Sequence, residues 1–257
     1  MQLFTQFLKK MEKLTGRTHL DFNLIARFRN LIGSNYRLNW PQLDWWYDEH
    51  FNFYLSKFNE IDGFNSDRKW ALNQLLRLTY GVQGDTTECG SFLGASSYLI
   101  CLQNHLNEEF EKHHFVFDSF EGLSQPGTKD GDHWYAGALE VPEEIVRQNL
   151  NPFTKFTLYK GWIPERFDEV SDRKFSFVHI DVDLYQPTAD SMAFFYQRMV
   201  NGGIILCDDY GFGTCPGATQ AVNSFLTDKP EKILNLSAGG GFLIKGINTA
   251  ENFRLPL

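Results

Sequence analysis

The sequence predicts an α/β fold: a mostly parallel seven-stranded sheet with one antiparallel strand, preceded by a helical, aromatic-rich N-terminal extension. Three observations lead there. Apolar positions over the first 80 residues follow helical spacing. From about residue 82, short β-rich runs alternate with helical stretches, the mark of βαβ units on a parallel sheet. The last two runs are separated only by a Gly-rich turn, so they pair as an antiparallel hairpin.

The extension, residues 1–80, carries apolar residues at positions 3, 4, 7, 8, 11 and 14, with similar patterns around Leu24 to Leu31 and Trp70 to Leu78. It holds 16 of the chain's 40 aromatics, including Trp40, Trp45, Trp46, Tyr47, Phe51, Phe53 and Tyr54. Large aromatics dominate cores and interfaces alike, so a packed cap or a homo-oligomer interface is the expectation. In the main domain, residues 81–257, the strands are expected at 85–89, 115–118, 156–160, 175–181, 203–207, 232–236 and 241–245, with helices between most of them. A long polar stretch, 119–138, contains His133, Trp134 and Tyr135 and has the length of a functional lid.

Composition removes several classes of partner. The chain has 257 residues, 42% hydrophobic and 22% charged, which suits a globular α/β domain with an appendage. Its formal net charge is −8 and no basic run interrupts it, so nothing offers phosphate backbones an electrostatic footprint and nucleic acid is not expected. No apolar run approaches the ~20 residues that span a bilayer, and the first residues mix charge into their apolar positions, so no membrane is expected and a cytoplasmic location is. The four cysteines, Cys89, Cys101, Cys207 and Cys215, have no metal-ligand spacing and read as reduced core thiols.

Three motifs carry chemistry. Glu88-Cys89-Gly90-Ser91-Phe92-Leu93-Gly94 falls where a strand gives way to a helix. Glycine there lets the backbone approach a ligand, and the helix start offers free N–H groups. A tight connection alone would look the same. About 30 residues after Glu88, the second strand ends in Asp118, where an acidic residue accepts ribose hydroxyls or caps the next turn. Together they describe a nucleoside site. Glu88 would repel a pyrophosphate and tolerate an ammonium, which favours S-adenosylmethionine over NAD. Third, His179-Ile180-Asp181-Val182-Asp183 closes the fourth strand and Cys207-Asp208-Asp209 the fifth. Adjacent strands lie ~4.8 Å apart, so these four carboxylates converge and repel unless a cation joins them. An oxygen-only set, with no Cys and no obvious His nearby, suits a hard ion such as Mg²⁺, Mn²⁺ or Ca²⁺ better than Zn²⁺.

ECGSFLG, FDSFEGL, KGWIPE, FVHIDVDLYQPT, GGIILCDDY and PGATQAV, in this order over roughly residues 80–245, resemble the macrocin O-methyltransferase family (TylF/MycF type), whose members methylate sugar hydroxyls of macrolide and aminocoumarin antibiotics. The aromatic N-terminal part does not share the resemblance. It implies a Rossmann-like class I methyltransferase, with S-adenosylmethionine across the first two strands and Mg²⁺ or another divalent cation gathering the hydroxyls of a small-molecule acceptor, a sugar or nucleotide sugar. By position, Asp181, Asp208 and Asp209 match the family's metal ligands and Asp183 its general base. Glu88, Gly90 and Ser91 would face the methionine part, Asp118 the ribose, and Gly161 with Trp162 the region beside adenine, with Gly94, Ser119 and Asp181 also at the cofactor. A phenolic or catechol acceptor would serve the same chemistry. An NAD-dependent oxidoreductase would share the fold but has no need of four aspartates, and a Ca²⁺-binding scaffold would not bind the methyl donor.

Overall fold

A computed structural model describes residues 10–11, 44–60 and 65–250. Apart from residues 10 and 11, the helical spacing expected over 3–14 and 24–31 lies outside the described residues, as does Trp40. Contacts divide the chain into two units, Met1–Lys57 and Phe58–Leu257. In the first, a 3₁₀ turn, Asp44–Tyr47, leads into helix α1, Glu49–Lys57. Asp48 precedes the helix and its carboxylate accepts the Phe51 N–H at 2.8 Å, meeting one of the donors that a helix start leaves unpaired. Phe51, Tyr54 and Leu55, at helical spacing, are buried, and the rings of Phe51 and Tyr54 stack at 5.7 Å. Tyr47 and Phe53 are exposed.

The second unit holds helix α2, Ser66–Leu78, and a seven-stranded sheet. In chain order its elements are β1 (Asp85–Cys89), α3 (Ala95–His105), β2 (His114–Asp118), α4 (Glu143–Asn149), β3 (Phe156–Lys160), β4 (Phe175–Ile180), α5 (Tyr185–Tyr196), β5 (Met199–Cys207), α6 (Pro216–Leu226), β6 (Leu234–Asn235) and β7 (Gly241–Ile244). The strand order is β3-β2-β1-β4-β5-β7-β6, and β7 alone is reversed, pairing antiparallel with both β5 and β6. The mostly parallel sheet with one antiparallel strand is thus present.

β4 lies at the centre, and all six of its residues are buried, as expected of a parallel strand covered on both faces. Phe195 of α5 meets Phe117, Phe167 and Phe175 at 5.9, 4.9 and 5.2 Å between ring centres. Each such ring, taken out of water, stabilises the fold by about 1.5–3 kcal/mol before entropy is counted. This packing clamps α5 to β2 and β4, and with it the loop between β4 and α5. The strand order reverses between β1 and β4, so the crevice beyond their carboxyl ends is where an open α/β sheet binds ligands.

Candidate functional site

A cavity of about 580 Å³ opens at that crevice. Of the residues singled out in the sequence, Gly90, Ser91, Asp118, Ser119, Trp162, Asp181, Asp183, Asp208 and Asp209 line it. Gly90 follows β1 with φ of 82°, and a Cβ there would stand 1.9 Å from the Asp181 carbonyl oxygen, so only glycine fits. The next residue, Ser91, donates its N–H and its hydroxyl to Asp118 Oδ2 at 2.7 and 2.9 Å, and Oδ1 accepts the Phe120 N–H at 2.7 Å. Asp118 therefore faces the cavity and caps its own turn as well. Ser119 donates its hydroxyl to the Gly122 carbonyl at 2.7 Å, shaping the start of the 119–138 segment.

Three other expected residues are placed differently. Gly94 caps the start of α3 with its Cα towards Val146, and Gly161 backs onto Arg166; both support the wall without lining it. Glu88 is 1% exposed and also does not line the cavity. Alternation along β1 turns its side chain into the sheet's packing, where it accepts from Ser97 Oγ and pairs with His179 Nδ1 at 2.7 Å. The charge argument that set Glu88 against a pyrophosphate therefore does not apply in this fold.

At the other end of the cavity the four aspartates meet. Ile180 and Cys207 are register partners, and Asp208 N–H donates to the Ile180 carbonyl at 2.8 Å, so the two acidic segments leave the sheet side by side. Asp183 sits at the apex of a three-residue turn, with φ of 59° and Leu184 N–H donating to the Val182 carbonyl at 2.6 Å. Its own N–H donates to Asp209 Oδ2 at 2.8 Å. A left-handed conformation costs a non-glycine residue on the order of 1–3 kcal/mol, and such strain gathers where side chains are aimed for a task.

One cation from α2 reaches the cluster. Arg68 Nη2 hydrogen-bonds Asp208 Oδ2 and lies 4.0 Å from both Asp181 Oδ1 and Asp209 Oδ1. Its guanidinium also faces the Phe212 ring at 4.8 Å. Burial, which favours the neutral acid, is outweighed at Asp208 by Arg68 and His179, which hold this carboxyl well below the usual range. For Asp209 and Asp181 burial comes first and the neighbouring carboxylates add to it, so both are pushed up; Asp183 is raised chiefly by burial.

The donor set is not oxygen alone. His179 stands two residues before Asp181, so strand alternation puts both on one side, and Cys215, before α6, places Sγ 3.4 Å from Asp183 Oδ1 and 3.9 Å from Asp209 Oδ1. The expectation of no nearby His or Cys is corrected on both counts. Potential ligand atoms of His179, Asp181 and Asp208 lie within 4.8 Å of one another, as do those of Asp183, Asp209 and Cys215. Asp208 and Glu88 lift the His179 imidazole to about 10 against the downward pull of burial, so its charge offsets theirs when no metal does. Burial first, then Asp209, pushes the Cys215 thiol up to about 12, leaving it a neutral donor towards the carboxylates. All four cysteines are free and buried. The residues fit a divalent cation: three carboxylates already converge on one positively charged nitrogen.

Sequence reasoning did not single out Arg68, Lys69, His179 or Cys215. Lys69 is buried, lines the cavity and donates to Ser96 Oγ at 2.6 Å in the first turn of α3. Only His179 carried a signal, its i−2 spacing from Asp181. In the 119–138 segment, Asp130 accepts N–H groups from Tyr185 and Gly127, each at 2.7 Å, and Trp134 Nε1 donates to Cys215 Sγ at 3.3 Å. His133 and Trp134 line the cavity and Tyr135 is exposed.

Strand order, the reversed β7 and a cavity at the β1/β4 switch define the class I methyltransferase fold. The crystal structure of CalS11, a calicheamicin methyltransferase, shares it with a TM-score of 0.63 at 16% identity, over 90% of this chain and 95% of that one. Residues 70–234 match the model of the macrocin O-methyltransferase (TylF) family, and the chain belongs to that family. A tetracenomycin rhamnosyl 4'-O-methyltransferase of Streptomyces olivaceus is 28% identical over 154 residues, 56% of this chain. The demethyldecarbamoylnovobiocin O-methyltransferase of Streptomyces niveus is 27% identical over 159 residues, again 56% of this chain. The matches span 59% and 58% of those two relatives. Among the described residues, no helix is long and apolar enough to cross a membrane.

Proposed function

We propose that this chain is an S-adenosylmethionine-dependent O-methyltransferase that acts on a hydroxyl of a sugar or glycosylated small molecule and uses a divalent cation, Mg²⁺ by family resemblance. The observation that carries the reading is the convergence of Asp181, Asp208 and Asp209 on one Arg68 nitrogen, beside a cavity whose other end is formed by Gly90, Ser91 and Asp118. Family membership supports the methyl transfer, and the relative named for a rhamnosyl substrate supports the acceptor class.

In this reading Ser91 and Asp118 bind the nucleoside and Trp162 borders its base. Asp181, Asp208 and Asp209 hold the cation, which when bound lowers a hydroxyl's pKa and fixes its direction. Asp183, raised by burial and aimed by its turn, takes the hydroxyl proton at Oδ1, where Cys215 Sγ is its present donor. Trp134 and His133 line the cavity, and closure of their segment over the substrates would exclude water. The methyl group comes from the donor's sulfonium; the chain supplies position, charge and dryness.

Incubation with S-adenosylmethionine and a panel of nucleotide sugars, glycosylated metabolites and catechols, with and without EDTA, tests this. Formation of S-adenosylhomocysteine with a sugar acceptor, abolished by EDTA, is expected. Turnover on catechols alone would move the acceptor class, and turnover indifferent to EDTA would remove the cation.

A further inference from the structure

His179 is fully buried one residue from the end of β4, and its two ring nitrogens have opposite surroundings. Nδ1 is 2.7 Å from Glu88 Oε1, and the other oxygen of that carboxylate is held by Ser97 Oγ. Nε2 has no hydrogen-bond partner although it is buried, and its approach to Asp208 Oδ1 is 3.7 Å. A simple bridge between two carboxylates would bring that nitrogen within about 3.2 Å of the oxygen. Buried polar atoms in folded proteins are nearly always paired, and leaving one unpaired costs about 1–3 kcal/mol.

An imidazole gripped from behind by a carboxylate, with its far nitrogen open and facing acidic oxygens, is the arrangement that orients a histidine ligand. When a cation takes the place of the Nε2 proton, Glu88 keeps the proton on Nδ1 and the Nε2 lone pair is directed forward. A ligand atom of His179 lies within 4.8 Å of oxygens of Asp181 and Asp208. We propose that His179 Nε2 joins Asp181, Asp208 and Asp209 as a ligand of the divalent cation, and that this mixed nitrogen and oxygen set favours a first-row transition-metal dication, such as Mn²⁺, Fe²⁺ or Co²⁺, over the Mg²⁺ that family resemblance alone implies. The inference rests on the reading that the acidic cluster holds a cation. It gives Glu88 a task away from the methyl donor: it orients the ligand. Imidazole nitrogen adds affinity for transition ions and little for Mg²⁺, which takes oxygen donors almost exclusively.

The test uses the full chain, stripped with chelator, loaded with Mn²⁺ and studied by pulsed electron paramagnetic resonance, with and without ¹⁵N-histidine labelling. A ¹⁴N modulation on the bound ion that changes to the ¹⁵N pattern on labelling is expected. Titration should give Mn²⁺ binding at least about tenfold tighter than Mg²⁺. His179→Asn should lose the modulation and weaken Mn²⁺ by about 10–100-fold. Mn²⁺ bound without any nitrogen modulation overturns the histidine ligand and leaves the cation site standing. Failure of the unaltered chain to bind Mn²⁺ overturns the cation reading and this inference with it. The labelling experiment needs no variant to fold.

Discussion

Replacing Arg68 with methionine removes one charge and little volume, so its effect isolates the electrostatics of the acidic cluster. The lost nitrogen lies 4.0 Å from Asp181 and Asp209 and is bonded to Asp208. At that separation one ion pair is worth ~4 kcal/mol with an effective dielectric of about 20, but burial of the charges opposes it. Removing one partner of a buried cluster costs about 3–5 kcal/mol, because the remaining carboxylates are left crowded and uncompensated. For a chain of this size that is a fall in Tm of roughly 6–20 °C. Differential scanning fluorimetry of chelator-treated wild type and Arg68→Met would measure it. Adding Mn²⁺ or Mg²⁺ should then narrow the gap, since a cation at 100 times its Kd returns about 2.7 kcal/mol. An unchanged Tm, or a gap indifferent to added cation, would refute the idea that guanidinium and metal compete for one position.

Asp183→Asn should lower turnover by about 10²–10⁴-fold, the usual scale for a general base, while calorimetry shows donor binding near that of wild type; undiminished turnover would end that role. Glu231 is buried and accepts from Tyr196 Oη at 2.5 Å, Gly246 N–H at 2.7 Å and Lys245 Nζ at 3.2 Å. These outweigh burial and pull its carboxyl down to about 2. Its folded pKa is depressed, so its stabilisation is full above the unfolded value of about 4.3 and is lost as pH falls towards 2. Glu231→Gln should therefore flatten the acid limb of a Tm-versus-pH curve, and an identical limb would exclude it as the titrating group. Gly90→Ala drives a Cβ to 1.9 Å from the Asp181 carbonyl oxygen, so loss of soluble protein or of S-adenosylhomocysteine affinity is expected. A well-folded variant with wild-type affinity would contradict that contact.

The sheet was legible because its central strand is mostly apolar, broken only by Ser176 and His179, and its reversed strand follows a Gly-rich turn. β5 begins at Met199, earlier than its expected start at 203, because Asn201 and Gly202 interrupt the pattern where the β4 pairing slips register. The aspartates were legible as a group because strand ends project their side chains to one edge. The direction of Glu88 was not, since adjacent strand positions face opposite sides and sequence does not say which side is the cavity. Arg68 arrives from α2, 140 residues before Asp208, and only tertiary packing brings it to the cluster; Cys215 follows Asp209 by six residues, but nothing in that spacing says the chain turns back before α6. The expectation that no histidine stood nearby overlooked the two-residue repeat within His179-Ile180-Asp181.

The seat of Gly90 against the Asp181 carbonyl ties specificity to the sheet. On the proposed assignments, the turn that cradles the methyl donor and the peptide that carries the first metal carboxylate touch without room for one more carbon. The span between donor and cation is therefore dictated by neighbouring strands, which cannot drift apart without unzipping the sheet. Loops have no leverage over that span. Acceptor choice in this chain is then left to what surrounds the acceptor, α2 and the 119–138 segment, around a span that the sheet holds constant.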